Sequence, residues 1–478
     1  MAEKTLSKKQ WERLQKDLTF KKEHAWLKLS KTERKKVFDY TEEYKKFLND
    51  SKTERETVKT LLEKAKKAGF ILYDEANTNH KKIIWTFRNK VIVLAVLGKH
   101  PVSQGVRIIA SHIDSPRIDL KQNPLYEDLD MAYFKTHYYG GIKKYHWLSR
   151  PLALHGTILR ADGTSLDIKI GDGHGEPVFV INDLLPHLAH KIQAQKKVSE
   201  AFPAEKLNVL VGGLPLEGPK EAKEAVKLGI LKLLYDKFSI TEEDLISAEL
   251  ELVPAGYARD VGFDCAFVGG YGQDDRCSAY ATFYALSSLK EPPYCSIGLF
   301  LDKEEIGSDG NTGAKARILE MILLDLLKFN KETIEPDTLL KTLFASKAIS
   351  ADVTAGMDPD FTEVHEKKND ALIGYGISLT KYTGSRGKYM ANDAHAEYVN
   401  WIRRTWNKAG VIWQATEMGK VDEGGGGTVA KYLALHGIDI VDAGTPLLAM
   451  HSPFEIAHKV DLYMSMKAYS AFYNSKEK

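Results

Sequence analysis

Ser296-Ile297-Gly298-Leu299-Phe300-Leu301-Asp302-Lys303-Glu304-Glu305-Ile306-Gly307 carries an apolar run straight into two adjacent carboxylates. The run has the length and composition of a buried strand. In an α/β sheet the end of a strand is where ligands bind, and two ionised neighbours repel unless a cation or a shared proton separates their roles. Metal-assisted hydrolysis divides that labour, with one Glu holding the metal and the other moving protons for a water. A solvated loop with two charges fits the same residues, so the motif alone leaves both readings open.

Working outward, short strand-like runs stand at Ile83 to Phe87, Val91 to Leu97 and Val106 to Ala110, the last delivering Ser111-His112-Ile113-Asp114. After Glu305 come a long apolar helix near Thr312 to Phe329 and strands near Ala348 and Ile438, and before it a helix near Arg276 to Lys290. Alternating strands and helices predict an α/β fold, with a mixed, largely parallel sheet covered by helices on both faces. Upstream, Ser30-Lys31-Thr32-Glu33 and Ser51-Lys52-Thr53-Glu54 have the form of capping boxes. The second predicts a helix with Val58, Leu61, Leu62, Ala65 and Ala68 on one face, stopping at Gly69. Between about residues 120 and 258 the pattern changes to glycine-rich turns and alternating strands such as Leu166-Asp167-Ile168-Lys169-Ile170. A mainly β domain over 121–258 is therefore expected, inserted into a domain made of 1–120 and 259–478.

Composition bounds the function classes. The 478 residues are 43% hydrophobic and 28% charged, as in an ordinary globular protein of two or three domains. The formal charge of +2 gives no reason to expect nucleic acid or an anionic membrane as partner. There is no uninterrupted apolar run of about eighteen residues and no apolar segment after the charged start, so a cytoplasmic protein is expected. Cys265, Cys277 and Cys295 form an odd set without C-x-x-C spacing, which predicts buried, reduced thiols.

Several further motifs carry titratable groups to element ends. His112 and Asp114 form an H-x-D triplet in which strand alternation would let the acid orient the imidazole. Gly269-Gly270-Tyr271-Gly272-Gln273-Asp274-Asp275-Arg276 is a glycine-rich turn feeding a helix, with an acid where the helix dipole favours one. Ser350-Ala351-Asp352 and Met450-His451-Ser452 complete the set. Each alone fits a structural role. Together they supply the inventory of His and Asp/Glu ligands, about five, that two zinc-class ions sharing a carboxylate need, with one acid left as base.

In these motifs, together with Tyr139-Gly140-Gly141-Ile142, Asp302 to Ser308, Gly424-Gly425-Gly426-Gly427-Thr428 and Leu448 to Ser452, the chain resembles the aspartyl aminopeptidase and vacuolar aminopeptidase I family, metallopeptidase family 18. The resemblance implies the dinuclear zinc aminopeptidase fold and removal of N-terminal residues from peptides. It implies two divalent ions per subunit, zinc first with manganese or cobalt as alternatives. His112 and Asp352 would hold one ion, Glu305 and His451 the other, with Asp274 bridging, Glu304 as general base and acid, and Asp114 supporting His112. It implies that the inserted domain mediates dimerisation and passes a histidine into the neighbouring site. His187, in Leu185-Pro186-His187-Leu188-Ala189-His190, fits that residue by context, with a nearby structural His as the competing reading. Assembly to a tetrahedral dodecamer is expected on the same ground.

Lys420-Val421-Asp422-Glu423 departs from the pattern of the acid-selective animal enzymes, which favours neutral or basic N-terminal residues. The tetraglycine run lacks the G-x-x-x-x-G-K-[ST] context of a nucleotide site, and no G-x-S-x-G or H-E-x-x-H occurs. A related dinuclear hydrolase, such as a deacetylase or carboxypeptidase, and an inactive metal-binding assembly protein stay open as rivals.

Overall fold

The computed structural model describes residues 6–74, 80–219 and 223–477. Among these residues the strands form sheets of nine, seven and five members. The nine-stranded sheet runs in the order Ile71–Leu72, Lys82–Phe87, Val91–Val96, Ser296–Leu301, Arg107–His112, Lys347–Ser350, Asp439–Gly444, Ile377–Thr380, Trp413–Thr416. Its central four strands are parallel, and their neighbours Val91–Val96 and Ile377–Thr380 run against them. The chain thus adopts the α/β class and the mixed, largely parallel sheet expected from its sequence.

Strand alternation explains why these segments are apolar throughout. Ile92, Leu94 and Val96 pack in one layer with Gln273–Ser287 and Lys459–Tyr473, while Val91, Val93 and Ala95 pack in the other with Ile318–Phe329. Burial on both faces contributes roughly 1.5–3 kcal/mol for each large apolar side chain.

The helix expected after Ser51 forms, but two residues later. Thr53 is its N-cap, accepting from the Glu56 N–H, and Glu56 reaches back to the N–H groups of Thr53 and Lys52. The expected capping acid, Glu54, is instead fully buried against Lys90 at 2.8 Å. Charge pairing with Lys90, in the turn between the strands Lys82–Phe87 and Val91–Val96, outcompetes a local cap there. The helix ends at Lys67, and Gly69 takes the left-handed φ of +85°. The apolar helix after Glu305 begins only at Ile318. The expectation of three buried thiols fails at Cys265, which is partly exposed in a turn at φ +55°; Cys277 and Cys295 are buried.

The seven-stranded sheet is antiparallel, in the order Ser165–Ile170, Leu152–Leu159, Glu249–Pro254, Arg117–Asp128, Met131–Tyr139, Val209–Gly212, Val180–Ile181. It has its own apolar core, including Ile118, Phe134, Trp147, Val209 and Leu252. Buried charges tie it to the helix Glu54–Lys67 and the turn before it: Lys52 meets Asp172 at 2.5 Å, and His155 lies between Glu56 at 3.0 Å and Asp172 at 3.1 Å. The five-stranded sheet pairs Phe267–Gly270 with Glu455–His458, which brings the loops before Asp274 and after His451 side by side.

Candidate metal centre

The parallel strands end on one edge of the nine-stranded sheet, and the titratable motifs gather there. His112 is the last residue of Arg107–His112 and pairs in register with Leu301. Immediately beyond Leu301 the chain turns: Lys303 takes a left-handed φ of +65°, and the turn is closed by the Gly307 and Ser308 amides on the carbonyls of Glu304 and Lys303. A non-glycine residue in this region is uncommon and marks a conformation that the surroundings impose. The turn directs Glu304 and Glu305 back towards His112. Asp352 follows Lys347–Ser350, and Asp274 lies in the first turn of Gln273–Ser287.

Asp274 is the geometric centre. Its Oδ1 is 3.1 Å from His112 Nε2 and its Oδ2 is 3.1 Å from His451 Nε2. Glu305 Oε1 lies 3.4 Å from His451 Nε2, and Asp352 Oδ1 lies 3.9 Å from His112 Nε2. Ligand atoms of His112, Glu304 and Asp352 fall within 4.8 Å of one another, as do those of His112, Asp274 and Glu305. Each imidazole turns its Nδ1 to a backbone carbonyl, His112 to Asp114 at 3.0 Å and His451 to Gly141 at 2.9 Å. Donation from Nδ1 leaves the Nε2 lone pairs facing Asp274, as a metal-binding histidine requires.

Asp114 supports the centre differently from the strand-alternation picture. The strand stops at His112, so alternation no longer governs the acid, and its carboxylate lies 3.4 Å from His112 Nδ1, farther than its own carbonyl. The carboxylate is engaged elsewhere, accepting from the Tyr139 hydroxyl at 2.8 Å and from the N–H groups of Glu304 and Glu305 at 3.2 Å each. One buried acid therefore fixes the backbone of the Glu304-Glu305 turn. His187 sits on the short exposed helix Pro186–Ala189 and takes no part in this cluster of its own chain.

The electrostatics favour cations. Burial raises Glu304 to about 7, with His112 opposing and Asp114 adding to the rise. Burial also pushes Glu305 and Asp352 well above the usual carboxylate range. Asp274 goes the other way while no cation is bound, because His112 and His451 then carry a second proton on Nε2 and their hydrogen bonds and charge outweigh its burial. A cation between them takes the place of those protons. His451 is lifted to about 10 against the effect of burial, chiefly by Asp274 and Glu305. Five desolvated acids thus face two imidazoles, and buried Glu305 Oε1 has no hydrogen-bond partner among the described residues. This oxygen and nitrogen donor set fits divalent ions of the zinc, manganese or cobalt kind.

Sequence reasoning missed Glu455, which is buried behind Asp274 and His451, and gave no role to the Tyr139 hydroxyl. The only signal for Glu455 was a lone acid at the head of the short strand Glu455–His458, four residues past His451.

A family model described as Aminopeptidase I zinc metalloprotease (M18) matches residues 47–473. The chain belongs to peptidase family M18. It is 48% identical over 457 residues to a probable M18 family aminopeptidase 1 of Borrelia garinii subsp. bavariensis, covering 95% of this chain and 99% of that relative. Among solved structures, the M18 family aminopeptidase from Thermotoga maritima is similar with a TM-score of 0.91 and 44% identity, covering 96% of this chain and 100% of that one. The S. cerevisiae mApe1 dodecamer shares the fold at 22% identity, with a TM-score of 0.73 over 91% of this chain and 96% of that one. As an M18 member the protein is a metalloaminopeptidase, a hydrolase of peptide bonds. No described helix is long and apolar enough to cross a membrane.

Proposed function

We propose that this M18 aminopeptidase removes N-terminal residues from peptides with two divalent ions, zinc in the first instance, and Glu304 as general base and acid. His112 and Asp352 would hold one ion, Glu305 and His451 the other, and Asp274 both. The observation that carries this assignment is the placement of Asp274, whose two oxygens each lie 3.1 Å from a different histidine Nε2. When bound, such ions polarise the scissile carbonyl and make water acidic enough to deprotonate near neutral pH.

Glu304 takes a proton from the attacking water as its oxygen adds to the carbonyl of the N-terminal residue. The same carboxyl then gives that proton to the departing amine nitrogen as the C–N bond breaks, a role worth typically about 10² to 10⁴-fold. Its pKa, raised to about 7 by burial, suits a group that must both accept and return a proton. Asp114 keeps Glu304 and Glu305 in place through their amides. A free α-amino group placed beside the acidic cluster explains trimming from the end of a peptide.

The inserted segment, residues 121–258, is assigned to dimerisation, with His187 completing the active site of the neighbouring copy and dimers assembling into a dodecamer. Its surface supports association, since Leu184, Leu185, Leu188 and Ile192 are all exposed. Asp422 and Glu423 are exposed beside the tetraglycine loop, which supports a preference for neutral or basic N-terminal residues. Leu- and Lys-linked chromogenic substrates should outrun the Asp-linked one; a clear win for Asp would reverse the preference. The catalytic assignment is tested with Glu304→Gln. Peptidase activity should drop at least about 10²-fold with metal content unchanged, and an active, metal-loaded variant would overturn it.

A further inference from the structure

Glu455 is 1% exposed and heads the strand Glu455–His458, opposite Gly270. Its two carboxylate oxygens have different partners. Oε2 accepts the N–H of Asp274 at 3.1 Å, and Oε1 accepts the N–H of His451 at 2.7 Å. Its backbone carbonyl also accepts from Gln273 Nε2 at 2.6 Å, pinning the residue before Asp274. The two segments it joins lie far apart in the chain and are brought together by the pairing of Phe267–Gly270 with Glu455–His458. One of them needs restraint, since His451 holds a left-handed φ of +62° that a histidine seldom adopts unaided.

We propose that Glu455 is a positioning residue that clamps the backbones of Asp274 and His451 at the separation needed for the two side chains to share a divalent ion. This presupposes the ligand roles assigned above to Asp274 and His451. The choice of side chain follows from hydrogen-bond chemistry. Two N–H donors approaching one side chain from different segments require an acceptor at each end, which an ionised carboxylate provides. An amide of the same shape has one acceptor oxygen and one NH₂. Glutamine at this position must therefore leave one backbone N–H facing a donor in a buried place. A carboxylate here thus acts on the metal without touching it, as the outer partners of metal ligands commonly do.

Titration of the metal-stripped protein with Zn²⁺ against a competing chelator tests this on wild type, Glu455→Gln and Asp274→Asn. Wild type should bind two equivalents, and Glu455→Gln should bind at least one of them about 10- to 100-fold more weakly while its folded circular dichroism is retained. Wild-type zinc affinity in Glu455→Gln would overturn the clamp. Asp274→Asn tests the ligand roles separately: if it kept both equivalents at wild-type affinity, the assignment beneath the clamp would fall whatever Glu455→Gln does. Should Glu455→Gln fail to fold, hydrogen-deuterium exchange resolved to single amides in wild type decides the matter. The amides of Asp274 and His451 should both be strongly protected, and rapid exchange at either would overturn the proposal.

Discussion

Glu304 differs from Asp274 in having no imidazole at hydrogen-bond distance among the described residues, whereas Asp274 has two. That isolation keeps its proton affinity high and leaves it available for proton transfer. The base must be ionised to act, so kcat/KM should fall as pH drops through the Glu304 pKa, about 7 before bound cations lower it. Loss of that acid limb in the residual activity of Glu304→Gln would be the matching observation. For Asp114, Asn offers one acceptor where three donors converge, and Asp114→Asn should cost about 10- to 100-fold in kcat/KM. Tyr139→Phe removes only one of those donors and should cost less, which side-by-side kinetics would check. At this scale the His and acid motifs were legible because each lies at or just past the end of a strand, or opens a helix. Glu455 and the Tyr139 hydroxyl were not, because their partners are brought to them by strand pairings that no local pattern encodes.

Among the elements, the sheet was the most legible part. Runs such as Val91 to Val96, apolar at every position, belong to strands covered on both faces, and their order along the chain gave the α/β class. Helix starts were less so, as the two-residue shift from Ser51 to Thr53 illustrates. The difference is measurable: Thr53→Ala should cost about 1 kcal/mol and Ser51→Ala, whose hydroxyl has no hydrogen bond among the described residues, distinctly less. The contact between this helix and the seven-stranded sheet should also respond to pH. Burial would lower the His155 pKa, but its hydrogen bonds to Asp172 and Glu56 raise it above the ordinary 6.5. Lys52 and Lys169 face the same acids. A raised imidazole stabilises the fold fully below its unfolded pKa and loses that contribution as pH rises through the folded value. Thermal midpoints of wild type and His155→Gln should therefore lie farthest apart in mild acid and converge in alkali.

For the whole molecule, the change of pattern near residue 120 follows the switch from apolar to alternating strands, and the strand Arg117–Asp128 of the seven-stranded sheet spans that point. The association of copies has no signature in one sequence, since exposed apolar side chains such as Leu185 and Leu188 look like any surface. If His187 serves the neighbouring site, Glu304→Gln and His187→Ala proteins, each impaired alone, should regain activity when dissociated and reassembled together. The Glu304→Gln subunit then lends its intact His187 to a partner whose own Glu304 is intact, and inert mixtures would rule this sharing out. The strand Met131–Tyr139 carries a last consequence. It ends in a strap that gives the Tyr139 hydroxyl to Asp114 and the Gly141 carbonyl to His451, and a methyl group at Gly141 would come within 3.3 Å of that imidazole. The seven-stranded sheet is therefore not a detachable handle. If copies associate through this sheet as proposed, a protein engineer seeking a monomeric enzyme would have to mask its outer surface by point changes, because excising it would remove the contacts that Tyr139 and Gly141 make to Asp114 and His451.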